Sequence, residues 1–113
     1  MKKSEKNSTL LKSFLTAEAR CDLKDIQIYI SIERESPKNA LKVIEVILDR
    51  IERLLSYPNT GTSLSSIVNF PTSYRYARAG GYLIFYRNEN NQIIVDRIIH
   101  GKRDYIKLLF PEE

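Results

Sequence analysis

Two adjacent glycines, Gly80-Gly81, divide two runs dense in tyrosine, isoleucine, phenylalanine and arginine. Glycine takes positive φ at no steric cost. The pair therefore reads as a two-residue hairpin turn between strands at 73–79 and 82–88. Such a turn fixes the register. Ala79 faces Tyr82, Ala77 faces Ile84 and Arg75 faces Tyr86, while Tyr76 meets Phe85 and Arg78 meets Leu83 on the other side. A break at Asn88–Asn91 introduces a third strand at 92–99, which completes an antiparallel meander. Tyr76, Leu83 and Phe85 are assigned to the side packed by helices. The opposite side then presents Arg75, Tyr82, Ile84 and Tyr86. That surface is half apolar and half hydrogen-bonding, and suits a partner or ligand better than bare water.

Upstream the period changes. Residues 9–15 (TLLKSFL) are apolar enough for a short strand, and Thr16 offers an N-cap. Ala19, Leu23, Ile26 and Ile30 then recur at helical spacing as a core stripe. Cys21, Ile28 and Ile32 form a second stripe on the opposite face. Either this helix is buried on both sides or its outer face meets another chain. Ser36-Pro37 restarts the helix, with proline at its first position. The second helix runs to about Ser56, with Ala40, Ile44, Ile47, Leu48, Ile51, Leu54 and Leu55 inward. Tyr57-Pro58 ends it, because the residue before proline disfavours the α conformation. The short link makes residues 17–56 an antiparallel helical hairpin. Residues 57–72 are rich in Pro, Gly, Ser, Thr and Asn and read as a long ordered loop. Residues 102–109 admit either a helix or a further extended segment.

The expected fold class is α+β. A short N-terminal strand and a helical hairpin pack on a small, mainly antiparallel sheet that ends in the meander. Residues 9–110 are expected to form one domain, with 1–8 a frayed polar tail.

With 113 residues the chain has length for one modest core. Its single cysteine, Cys21, excludes an internal disulfide and a thiolate metal cluster. A lone histidine, His100, leaves no set for a histidine zinc site. No cofactor is implied. The basic start, MKKSEKNS, is not followed by a long apolar run. No stretch approaches the ~20 apolar residues of a membrane span. A cytoplasmic protein is expected.

Charge is uneven. Residues 72–110 carry seven basic side chains (Arg75, Arg78, Arg87, Arg97, Lys102, Arg103, Lys107) against three acidic ones. This is either a solvated sheet edge with protective charges or a surface for phosphates or an acidic protein. At the end of the last strand His100, Arg103 and Tyr105 supply a titrating base, a phosphate anchor and a phenol donor. Those are the parts of metal-free RNA cleavage through the 2′-hydroxyl. They serve equally as a surface ion pair with Asp104 and a packed ring. There is no phosphate-binding glycine loop, GxSxG, CxxC or paired carboxylate with metal spacing.

The order of elements and several strings resemble the RelE/ParE toxins of type II toxin–antitoxin modules. Asp22-Leu23, Ile26 and Tyr29-Ile30 look like the family's DL-x-x-I-x-x-YI. Leu54, Pro58 and Gly61 look like its L-x-x-x-P-x-x-G. Tyr74-Arg75 with Gly81-Tyr82-Leu83-Ile84-Phe85-Tyr86-Arg87 resembles YR…YLIFYR. Ile98-Ile99-His100-Gly101-Lys102-Arg103-Asp104 with Leu109-Phe110 resembles IxHGxRD…LF. The resemblance covers about residues 10–110.

RelE-like members cut messenger RNA on the ribosome with basic sheet residues and a C-terminal tyrosine. ParE-like members lack that set and poison DNA gyrase. Here the second basic strand position is Ala77, the arginine after Gly-Tyr is Leu83, and the C-terminal tyrosine position is Leu109. The resemblance therefore implies the ParE-like branch: a non-enzymatic toxin that traps gyrase, held in a hetero-oligomer with a ParD-like antitoxin. No sequence-specific nucleic-acid binding is expected. The antitoxin would lie over Cys21, Ile28, Ile32, Tyr82, Ile84 and Tyr86. The target would meet Arg75, Arg97, His100, Lys102, Arg103 and Lys107. The alternative is a ribosome-dependent ribonuclease that uses Arg75, His100, Arg103 and Tyr105.

Overall fold

The structure is a computed structural model and describes residues 12–111. The expected tail, 1–8, and the first part of the expected strand, 9–11, lie outside the described residues. The remainder of that strand is β1 (Lys12–Leu15). Thr16 follows it and does two jobs. Its hydroxyl accepts from the Ala19 N–H at 3.1 Å and donates to the Asp96 carbonyl at 3.0 Å. One residue thus starts a helix and pins that start to the sheet.

Helix α1 (Ala17–Ile28) runs into a single turn of π-helix, Tyr29–Glu33. The chain reverses at Glu35, a non-glycine residue with φ of 51°, and the Ser36 N–H closes on the Ile30 carbonyl at 3.1 Å. Helix α2 (Pro37–Ser56) starts on proline, whose missing N–H has no partner to lose in a first turn. After it come β2 (Thr62–Ser63), a 3₁₀ turn at Leu64–Ser66, β3 (Arg75–Ala79), β4 (Tyr82–Glu89), β5 (Gln92–His100) and α3 (Tyr105–Leu109). The loop expected at 57–72 therefore contributes a short edge strand, and part of 102–109 is helical.

The sheet has five strands in the order β1-β5-β4-β3-β2. β1 lies parallel to β5, with Leu15 opposite Val95, and the other pairs are antiparallel. The register set by Gly80-Gly81 is the expected one: Ala79 with Tyr82, Ala77 with Ile84, Arg75 with Tyr86. Gly80 has φ of +61°, and the second hairpin turns through Asn90 and Asn91, both also at positive φ.

The assignment of the two faces is corrected. The helical hairpin packs on the side of Ala77, Ala79, Ile84 and Tyr86, with Tyr82 half-buried at its margin. Leu83, Phe85 and Ile99 face the other way. They are covered by Leu64, Val68, Tyr74, Tyr76 and the apolar side of α3. Both faces are thus buried. Ala77 and Ala79 are small, which lets a helix approach β3 closely, and this is the signal that decides the side. Ile84 and Tyr86 are both 0% exposed. Neither offers a docking surface.

The helical stripes fall largely as expected. Ala19, Ile26 and Ile30 of the first, and Ala40, Ile47, Ile51 and Leu54 of the second, are buried. Leu23, Ile44 and Leu55 pack at the rim. Leu48 is the exception at 44% exposed. It sits one residue past Ile47, about 100° around the helix, and turns out of the stripe.

Candidate functional site

Three arginines carried on strands are committed inside the fold. Arg75 donates to the carbonyls of Gly61 at 2.6 Å and Asn59 at 3.2 Å. Arg87 is paired with Asp96 at 2.6 Å and with Glu89 at 2.9 Å. Arg97 makes a two-pronged pair with Asp22, at 2.8 and 3.0 Å. That pairing favours the charged guanidinium and raises the Arg97 pKa. Arg75 and Arg97, expected at the target contact, are both engaged by partners within the fold. Both side chains hold the fold together.

The strings that carried the resemblance have the same structural explanation. The Tyr86 hydroxyl donates to the Pro58 carbonyl at 2.7 Å and accepts from the Gly61 N–H at 3.2 Å. A Cβ on Gly61 would meet that hydroxyl at 2.4 Å and the Tyr76 carbonyl at 2.6 Å. Proline, glycine and tyrosine at these positions form one stitch between the loop after α2 and the sheet.

Asp22 has a second role. β1 ends at Leu15, so among the described residues no strand borders the outer edge of β5 beyond Val95. Asp22 reaches from α1 and accepts the Ile98 N–H at 2.8 Å, covering part of that edge. What remains is a groove of about 650 Å³ between α1 with its π-turn and the end of β5. Its walls include Tyr29, Arg34, Tyr82, His100, Lys102 and Arg103.

His100 lies opposite Tyr82, with the two rings edge to face at 5.1 Å. Its Nδ1 accepts the Lys102 N–H at 3.1 Å. That bond places the imidazole proton of the neutral ring on Nε2. Burial pushes the Tyr82 phenol above the usual tyrosine range. Tyr29 adds to this and the Arg34 charge opposes it. Arg34, Lys102 and Arg103 are exposed, and no ion pair engages them among the described residues.

The ribonuclease set is not assembled. Tyr105 packs on Phe85, with centroids 5.3 Å apart, on the sheet face away from His100. Arg75 lies across from Tyr86, four strand residues from the Tyr82–His100 pair. Of the four residues, only His100 and Arg103 share a wall. Among the described residues no group of three His, Cys, Asp or Glu side chains stands together as a metal site. No described helix is long and apolar enough to cross a membrane.

The outward stripe of α1 is on the surface: Cys21 is exposed, Ile28 is 47% exposed and Ile32 is 65% exposed. Leu41 and Leu48 add exposed apolar side chains on α2. Ile32 ends one helix and Leu41 begins the next, so both sit at the same end of the hairpin. Sequence reading did not find Leu41, Tyr29 or Arg34. Arg34 was findable, because Ser36-Pro37 marks the reversal and so puts the preceding cation at the mouth of the hairpin.

These features define a class: a small α+β protein with a helical hairpin over a five-stranded sheet and a cation-lined groove at the sheet's open edge. The sequence matches the family described as ParE toxin of type II toxin-antitoxin system, parDE, over residues 14–105, and the chain belongs to that family. Its fold is similar to that of a chain in the solved structure of the chromosomal ParDE TA system from P. aeruginosa, with a TM-score of 0.65 and 22% identity. The match covers 80% of this chain and 96% of that one. No curated protein sequence matches it significantly.

Proposed function

We propose that the chain is a non-enzymatic toxin that binds DNA gyrase and is neutralised by a ParD-like antitoxin. Membership of the ParE family carries this reading. The scattering of Arg75, Tyr105 and the His100–Arg103 pair over different parts of the sheet supports it against RNA cleavage. A general base, a phosphate anchor and an acid must converge on one reacting phosphate to act together.

The cations of the expected target set left for a partner are Lys102 and Arg103, which share the groove with His100, and Lys107 on α3. The antitoxin is assigned the outer face of the hairpin, where Cys21, Ile28 and Ile32 are joined by Leu41 and Leu48. This assignment supersedes the sheet face. An amphipathic helix laid on such a surface buries the side chains that water leaves uncovered.

The test is gyrase acting on plasmid DNA with purified, antitoxin-free protein, scored for linear DNA after denaturation. Linear product that rises with dose, and that persists in His100→Ala, is the expected outcome. Normal supercoiling with a folded sample would remove the gyrase reading. Cleaved messages that depend on His100 would put the ribonuclease in its place.

A further inference from the structure

The open part of the β5 edge has a defined hydrogen-bonding pattern. In an antiparallel strand the N–H and C=O of alternate residues point to the same side. The Gly101 N–H bonds to the Gly81 carbonyl at 2.9 Å, so residues 97, 99 and 101 turn toward β4. Residues 98 and 100 turn toward the groove. Asp22 takes the Ile98 N–H, and the His100 carbonyl accepts the Arg103 N–H at 3.0 Å. Among the described residues, the Ile98 carbonyl and the His100 N–H remain without a partner. They are one acceptor and one donor, two residues apart and aimed the same way into the groove.

That pair is complementary to the edge of a nucleobase, which presents a neighbouring donor and acceptor in one plane. Rings for stacking are at hand: Tyr29, Tyr82 and His100 line the same space. So are cations for phosphate, in Arg34, Lys102 and Arg103. The groove's carboxylates are Asp22 and Asp25. Asp22 is neutralised by Arg97, which leaves Asp25 as the one acidic wall residue without a cation partner among the described residues.

We propose that this groove binds a nucleoside phosphate, with the base on the Ile98–His100 edge and the phosphates on Arg34, Lys102 and Arg103. The site stands independently of the gyrase reading, since nothing in its argument uses the target. A bound nucleotide would cover Lys102 and Arg103, two of the cations assigned to the target, and so would compete with target binding.

The experiment is an amide NMR titration of the full chain with four probes: ATP, adenosine, inorganic triphosphate and a short single-stranded oligodeoxyadenylate. ATP is expected to move the His100 amide and to bind about tenfold or more tighter than triphosphate or adenosine. Adenosine should move the same amide, and triphosphate should not. Lys102→Glu with Arg103→Glu, both exposed, should weaken ATP by about tenfold or more and leave adenosine unchanged. An oligonucleotide that binds more tightly than ATP at the same amide would make the source a nucleic-acid strand. ATP binding more tightly would make it a free nucleotide. Two results overturn the proposal: triphosphate matching ATP with the His100 amide unmoved, which is a non-specific anion surface, and no response to any probe. A blocked peptide of alternating valine and glutamate that moves the His100 amide where ATP does not would also overturn it, and assign the edge to a strand. Loss of gyrase poisoning alone would leave the site untouched.

Discussion

The strand arginines and the groove cations are the same chemistry put to different uses. Arg75, Arg87 and Arg97 rise from the sheet, where carbonyls and carboxylates lie within reach, and each ends in a fixed internal partner. Arg34, Lys102 and Arg103 follow the ends of regular elements, where the chain has turned away from its neighbours, and they keep their charge for something else. The excess basic charge of the C-terminal half thus divides by position. Arg75, Arg87 and Arg97 build the fold, while Arg34, Lys102 and Arg103, just beyond strand or helix ends, are available to a ligand or partner; Arg78, exposed on β3, belongs with the second set although it lies within a strand. Counting charges in the sequence treats the two sets alike.

The sharpest way to break this division is to remove a structural partner. Asp22→Ala leaves the Arg97 guanidinium and the Ile98 N–H without their acceptor. Both side chains of that pair are mostly shielded, at 23% and 13% exposed. A loss of about 3 kcal/mol is expected, because the orphaned charge costs more than the pair contributed. Urea unfolding should show it as a lower midpoint with an unchanged slope. A loss below about 1 kcal/mol would put Arg97 with the exposed cations instead.

Arg75→Ala comes next. It removes the donor to the Gly61 and Asn59 carbonyls, and about 1–2 kcal/mol is expected. Tyr86→Phe should cost a similar amount, since it leaves the buried Gly61 N–H unpaired. The two residues hold one loop, so the double variant should cost less than the sum.

How much of this was legible in advance follows from locality. The hairpin turn, the register, the Thr16 cap and the Ser36-Pro37 restart are encoded within a few residues, and each was readable. The face covered by helices is the opposite of the one the sequence pattern suggests, because both faces carry large apolar side chains and both are covered. The decisive hint, alanine at 77 and 79, was present but small. The partners of Arg75 and Arg97 lie 14 and 75 residues away, beyond any local pattern. The groove was invisible for the same reason. It exists because β1 ends at Leu15 and Asp22 comes from a helix.

For the groove cations the expected stability effect is close to zero. Arg103→Ala and Lys102→Ala should each change unfolding free energy by less than about 0.5 kcal/mol, as exposed, unpaired side chains do. If either costs as much as Arg75→Ala, it has an internal partner and the division fails at that residue.

The smallest effect is an electrostatic one at Tyr82. Burial raises its phenol above the ordinary value of 10.0, Tyr29 adds to that, and Arg34 pulls it back. The fold therefore favours the neutral phenol. The stability this contributes is complete below the unfolded value and is lost as pH rises through the folded one. Arg34→Ala removes the one opposing cation, so Tyr82 should titrate at still higher pH, with the fold otherwise unchanged. Ring-carbon NMR resolves it from the other tyrosines. An upward move would show that the Arg34 charge is felt inside the groove, as a ligand-facing cation must be. An unmoved Tyr82 would mean that Arg34 points into solvent, and the groove would then rely on Lys102 and Arg103 alone.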